Sequence, residues 1–225
     1  MRGLAVVLLV LLAACGRPLT APEAELAASL FGDTLDPGQV RLVRSGLVGA
    51  TWRTYAARPR LTCRERIAPP RAGATFTARP AAIALWNRVH FRADVALAEY
   101  VGRGAEGPNL AAAMFLAHEL THVWQWQNRA LTGYSPWRAA TEHFGAADPY
   151  LFEGATAAGF LDYGFEQQAS IVEEYLCCRT LDPAGARTAR LDGLLRPVLP
   201  LPPLPEAPQP ARLPWAGAET RGICA

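Results

Sequence analysis

Three features of the sequence predict a mainly helical α+β fold. Short stretches of alternating apolar and polar residues occupy the first half. Two long stretches with helical apolar spacing follow, over 110–126 and 165–179. Half of the 225 residues are apolar and about a fifth are charged, enough to bury a core. In chain order, "APEAELAASLFGD" (21–33) has helical spacing and should end near Gly32. "GQVRLVRS" (38–45) alternates apolar residues with arginine and predicts a half-buried strand. Residues 57–80, rich in Arg, Pro and Gly, read as irregular, and "AIALWNRVHFR" (82–92) reads as a hairpin about Asn87. A short helix is expected over 93–102, then a loop through "GRGAEGPN". Pro108 and Asn109 mark the start of a helix running from Leu110 to Trp126. One helix is expected over "PWRAATEHF", a strong one over "FEQQASIVEEYLCCR" (165–179), and another over 183–195. From Pro197 to Pro214, eight of eighteen residues are proline, which predicts a tail extended rather than packed, with Cys224 pinning its far end.

The first residues stand apart. Arg2 followed by the apolar run Leu4–Ala14, 11 residues long, is too short to span a bilayer, which needs about 20. The run ends in "LAAC" (12–15), which resembles the lipobox of bacterial lipoproteins. That resemblance implies a signal peptide over 1–14, lipidation of Cys15 and a lipid-anchored place on the periplasmic side of the cell envelope. The remainder divides into a tether (15–22), one domain (23–196) and the Pro-rich tail (197–225), with no internal repeat. A net charge of +2 without a dense basic run argues against nucleic acid as a partner. All 22 basic residues are arginine. In an oxidising compartment Cys63, Cys177, Cys178 and Cys224 should pair. A bond between the neighbours Cys177 and Cys178 would strain a helical backbone. Cys63 and Cys224 are therefore each expected on one member of that pair, in an order left open.

The chemistry centres on "AHELTHVWQWQ" (117–127). Residues four apart on a helix share a face, so His118 and His122 project together and can hold one Zn²⁺. Glu119 lies about 100° round the helix, placed to act on a metal-activated water as general base rather than to ligate. A catalytic zinc takes a third protein ligand, and Glu166, opening the 165–179 helix, is preferred to Glu173, with Glu174, Glu153 and Glu142 behind. His143 is a further candidate, as ligand or oxyanion donor, and Tyr150, Tyr163 and Tyr175 are candidate oxyanion donors.

Four stretches carry a wider resemblance: "LFGDTLDPGQVRLVR" (30–44), "AIALWNRVHF" (82–91), "AHELTHVWQWQ" (117–127) and "EQQASIVEEYL" (166–176). Together they resemble the HExxH zincin-like, Vgr-related proteins associated with bacterial contractile injection systems. The resemblance implies a zincin-like metallopeptidase fold, with His118, His122 and Glu166 as zinc ligands, Glu119 as the catalytic acid/base and a link to an injection system. Four residues after Glu166, where such proteins often carry an acid, this chain has Ser170, so the carboxylate that orients a ligand histidine is missing or supplied by Glu173 or Asp162.

The expected function is a zinc-dependent hydrolase of the cell envelope, most simply a metallopeptidase acting on a peptide or protein substrate. The alternatives are a non-catalytic, zinc-stabilised lipoprotein or partner-binding module, and a peptidoglycan amidase. The tail could also lie across the cleft as a plug.

Overall fold

The computed structural model of the chain describes residues 16–144, 148–152 and 159–225. The expected signal peptide, the lipidation site Cys15 and the candidate Glu153 lie outside the described residues. Among the described residues no helix is long and apolar enough to cross a membrane.

The fold is α+β. Helix α1 (Ala21–Phe31) opens with a capping box in which Thr20 and Glu23 satisfy each other's backbone N–H groups. Glu23 is fully buried because it does more than cap. Its carboxylate also takes both Arg17 guanidinium nitrogens, at 2.6 and 2.7 Å, and the Tyr100 amide at 3.0 Å. Arg17 in turn forms an antiparallel bridge with Leu42. Residues 16–20, read from the sequence as tether, are therefore docked on the domain.

Strand β1 (Arg41–Ser45) runs parallel to β5 (Arg88–Arg92), which pairs antiparallel with β4 (Ala82–Leu85), giving the order β1-β5-β4. The period of two sends Val89 and Phe91 inward, fully buried. The β4–β5 hairpin turns at Trp86 and Asn87, as expected, and Trp86 takes the positive φ of 57° at its first central position. Two expectations fail in this half. Residues 57–80 are not simply irregular: β2 (Arg53–Ala56) pairs antiparallel with β3 (Thr75–Ala78), and between them lies a five-residue helix, α2 (Cys63–Ile67). Nor does 93–102 form a helix. The amides of Tyr100 and Val101 are taken by the side chains of Glu23 and Glu99 instead of by preceding carbonyls. Two short strands, β6 (Arg103–Gly104) and β7 (Gly107–Pro108), lead into the helical half.

Helix α3 (Leu110–Gln127) starts where Asn109 caps the Ala112 amide and ends where Asn128 donates to the carbonyls of Trp124 and Thr34. After α4 (Arg129–Thr132) and α5 (Pro136–Thr141), helix α6 (Phe165–Leu181) packs along α3, and α7 (Ala186–Leu195) packs on α6. One core joins them. Leu116, Leu120 and Val123 of α3 lie in it with Ile171, Val172 and Tyr175 of α6. Trp124 is fully buried between Phe31 and Phe160, with ring centroids 6.2 Å away on each side, and its indole N–H donates to Thr34 Oγ1 at 3.0 Å.

The tail is extended but also packed. Leu199 and Leu201 are buried, and the Gln209 amide donates to the Thr180 carbonyl at 2.7 Å. Arg212 bridges to the backbone at Asn109. Gly107, at φ 97°, lies where a side chain would strike the backbone of Pro210, so only glycine lets the tail approach there. The disulfides are Cys63–Cys177 and Cys178–Cys224, so each outer cysteine does take one member of the vicinal pair.

Candidate metal centre

Helix α3 delivers His118, Glu119 and His122 to one buried face, and the first turn of α6 delivers Glu166 opposite them. Glu166 Oε2 lies 3.1 Å from His118 Nε2 and 3.3 Å from His122 Nε2. One ligand atom from each of the three residues falls within 4.8 Å of the others. The two imidazole rings lie edge to face, their centroids 5.1 Å apart and their planes at 78°.

The far side of each ring is also occupied. His122 Nδ1 faces Gln125 Oε1 at 2.9 Å, and His118 Nδ1 faces Glu173 Oε2 at 3.4 Å. The Gln125 amide is oriented by its other end, whose Nε2 donates to the Phe165 carbonyl and to Gln168 Oε1, while Gln168 Nε2 donates to the Tyr163 carbonyl. Amide and carboxylate oxygens only accept, so each Nδ1 holds its hydrogen outward, and with a metal in place each Nε2 would turn its lone pair to the shared point.

Electrostatics describe the same point. Burial works against a charged His118, but hydrogen bonds to Glu166 and Glu173 outweigh it and raise the imidazole to about 10. His122 is raised too, through Glu166, against its own burial. Burial likewise opposes charge on Glu166, yet attraction to His122 and bonds from His118, His122 and His143 hold its carboxyl well below the usual range. The carboxylates thus demand positive charge between the two imidazoles. A divalent cation fits that demand, and two imidazole nitrogens with one carboxylate oxygen form a donor set suited to catalytic zinc. The cysteine group formed by Cys63, Cys178 and Cys224 is different, because its sulfurs are spent in disulfides.

Glu119 stays outside the three-residue group. It is buried beside it, and burial raises its carboxyl above the ordinary value. Together with His118, His122 and Glu166 it lines a cavity of about 820 Å³. The edge strand β4 forms one wall, the β2–β3 pair another, and the α5 turn with His143 a third.

The remaining candidates separate clearly. Glu173 orients His118, the role that Ser170 does not fill, since the Ser170 hydroxyl is buried without a hydrogen-bond partner. Asp162 is not used there; its carboxylate accepts the Gly159 amide. Glu174 is bound up with Arg187 and the Cys63 amide. Glu142 caps α6, and the absence of a side chain on Gly164 lets its carboxylate come within 3.2–3.3 Å of where a Cβ would stand. Tyr175 bonds Asp192 and faces away from the cavity, and Tyr163 is not in its lining. His143 and Tyr150 are at the site. His143 Nε2 lies 2.9 Å from Glu166 Oε1, and the Tyr150 ring sits 5.8 Å from both His118 and His143. Among the described residues no part of the tail lines the cavity, and the Trp215 ring of the tail lies 5.5 Å from the Arg60 guanidinium on its wall.

Tyr134, Gln125 and Arg64 are absent from the sequence reading. Tyr134 stacks on His122, in a "TGYSPW" loop without any chemical signature. Gln125, three residues after His122 on the helix, was legible from spacing alone. Arg64, which donates to Glu173 at 2.9 Å, comes from a segment read as irregular.

Comparison with protein-family models and with curated proteins gives no match. Among solved structures the chain is similar to the effector domain of Pseudomonas aeruginosa VgrG2b, at 22% identity over 80% of this chain and 82% of that one, with a TM-score of 0.48.

Proposed function

We propose that the chain is a zincin-like, zinc-dependent peptidase. His118, His122 and Glu166 hold the metal, and Glu119 is the general base. The observation that carries this reading is the position of Glu119: buried beside a complete three-donor set, outside that set, and facing a cavity. A purely structural site would have no use for such a base, which disfavours the non-catalytic alternative.

Bound zinc supplies Lewis-acid chemistry, acidifying a water and polarising a carbonyl. Glu119 takes the proton of the attacking water and passes it to the leaving amine. Its burial-raised proton affinity suits both halves of that exchange. Burial likewise keeps the Tyr150 hydroxyl protonated, so beside His118 it can donate to the carbonyl oxygen as charge builds there. Strand β4 has one paired neighbour in its sheet and turns its other edge to the cavity, where an extended peptide can add as a further strand.

The cavity wall favours acidic peptides. Arg53, Arg60 and Arg71 line it. Among the described residues, Arg53 and Arg60 donate to backbone carbonyls and Arg71 lies 4.0 Å over the Phe76 ring; none of the three is paired with a carboxylate. The two disulfides, with the export segment read from the sequence, support a place outside the reducing cytoplasm, anchored through Cys15.

The test is elemental analysis of the purified protein, followed by hydrolysis assays on unfolded protein and on peptidoglycan. One zinc per chain is expected, lost in His118→Ala and Glu166→Ala. Glu119→Gln should keep the metal and lose about 100-fold or more of the activity on protein. Folded wild-type protein without zinc would overturn the reading, and hydrolysis confined to peptidoglycan would transfer it to an amidase.

A further inference from the structure

The contacts behind His118 continue outward to a disulfide. Glu173, which faces His118 Nδ1, also accepts Arg64 Nη1 at 2.9 Å, so one carboxylate oxygen serves both. Arg64 belongs to α2, which has five residues and is too short to persist alone. Ile67 is buried in the core and Arg66 donates to the Ile223 carbonyl at 2.6 Å, but the attachments nearest Arg64 come from the part of α6 around Glu173. Glu174 Oε1 accepts the Cys63 amide at 2.9 Å, and the sulfur of Cys63 is bonded to Cys177. Cys177 lies four residues after Glu173, on the same face of α6. The disulfide therefore presses α2 onto the stretch of α6 that orients a candidate metal-binding histidine.

We infer that Arg64 is a positioning residue for the metal centre, and that the Cys63–Cys177 disulfide is what holds it in place. The inference rests on the zinc reading above. Without the disulfide α2 leaves α6, Arg64 leaves Glu173, and Glu173 becomes a carboxylate buried beside His118 with no cation to fix it. His118 then loses the restraint on its ring orientation and tautomer, which weakens its hold on zinc. Formation of this disulfide, which bridges a sequence separation of 114 residues, would precede tight metal binding. The protein would then acquire its metal only in an oxidising compartment. The second disulfide, Cys178–Cys224, joins α6 to the C-terminus and reaches α2 only indirectly, through Arg66 on the Ile223 carbonyl and through Glu174, with no bond to Arg64 or Glu173, so its removal measures the effect of general loosening.

The experiment measures zinc affinity by competition with a chromophoric chelator, with folding followed by circular dichroism. Arg64→Ala should lower affinity about 10- to 100-fold, the usual effect of losing a group that orients a metal ligand. Arg64→Lys, which restores one donor to Glu173, should recover part of it. The paired Cys63→Ala, Cys177→Ala variant should lose as much as Arg64→Ala, and adding Arg64→Ala to it should cost nothing more. The paired Cys178→Ala, Cys224→Ala variant should lose thermal stability with affinity kept within about threefold, on the same reasoning. Unchanged affinity in Arg64→Ala, additive losses, or an equal loss in the Cys178–Cys224 variant would overturn the inference. If the Cys63–Cys177 variant does not fold, Arg64→Ala in a Glu173→Gln background decides instead: a further loss there rejects the relay. Absence of zinc from the wild-type protein would defeat the metal-centre reading itself, a result distinct from all of these.

Discussion

Both carboxylate oxygens of Glu142 accept backbone N–H groups at the start of α6, and one of those groups is the amide of Glu166, at 3.0 Å. The next residue, His143, meets the Glu166 side chain at 2.9 Å. One short turn therefore grips the candidate third ligand by both its backbone and its carboxylate. Glu142→Ala should destabilise the protein by about 1 kcal/mol, the usual cost of removing a helix cap. Urea denaturation measures this, and Glu142→Gln, which keeps one acceptor, should lie between the two.

Gln125 performs for His122 the service that Glu173 performs for His118. Gln125→Leu removes the acceptor from His122 Nδ1 and leaves Gln168 without its donor. Zinc affinity should fall by about 10-fold or more, while zinc content at saturation stays at one per chain. A chelator titration separates that outcome from loss of the site.

Arg53, Arg60 and Arg71, without carboxylate partners among the described residues, bear on the substrate in a way that can be read without catalysis. In a Glu119→Gln background, labelled peptides rich in Asp and Glu should bind more tightly than Lys-rich peptides of equal length, by fluorescence anisotropy. The preference should shrink at 0.5 M salt and in the Arg53→Ser, Arg71→Ser variant, as expected for exposed charges. Equal binding of both peptides would remove the acidic preference and leave the metal centre untouched.

Glu23 gives a pH-dependent test of stability. Burial alone would raise its carboxyl, but the bonds from Arg17, Thr20 and Tyr100 outweigh that and hold it below the ordinary 4.5. A group whose folded value is depressed stabilises fully above the unfolded value and loses that contribution as pH falls through the folded one. Glu23→Gln should therefore cost about 1–2 kcal/mol at neutral pH, as expected for hydrogen bonds to a charged group whose partner is partly open to solvent. The gap to wild type should be constant above pH 4.5 and close progressively in more acid solution.

What the sequence made legible was local. Helices α3 and α6 show their apolar spacing over four turns or more, and Asn109 announces the first of them. His118, Glu119 and His122 follow from helix geometry, and the approach of Glu166 needed only that the two helices pack. The harder parts depend on partners distant in sequence. Helix α2 exists because Glu174 and Cys177 hold Cys63 from more than a hundred residues away. The segment 93–102 fails as a helix because Glu23, on another element, takes the Tyr100 amide. Tyr134 and Tyr150 reach the cavity through loops whose course no periodicity records. In the tail, proline announced extension correctly, but nothing in its composition reveals that Leu199 and Leu201 are covered.

The anchoring of the last residues to α6 also bears on how the protein behaves when cut. Residues 206–210 are exposed and offer a protease an accessible stretch, while Cys224 beyond them is bonded to Cys178. A chain nicked there stays covalently whole. It should migrate as one band on a non-reducing gel and release a C-terminal fragment only after a thiol is added. The tail can thus be severed without being lost.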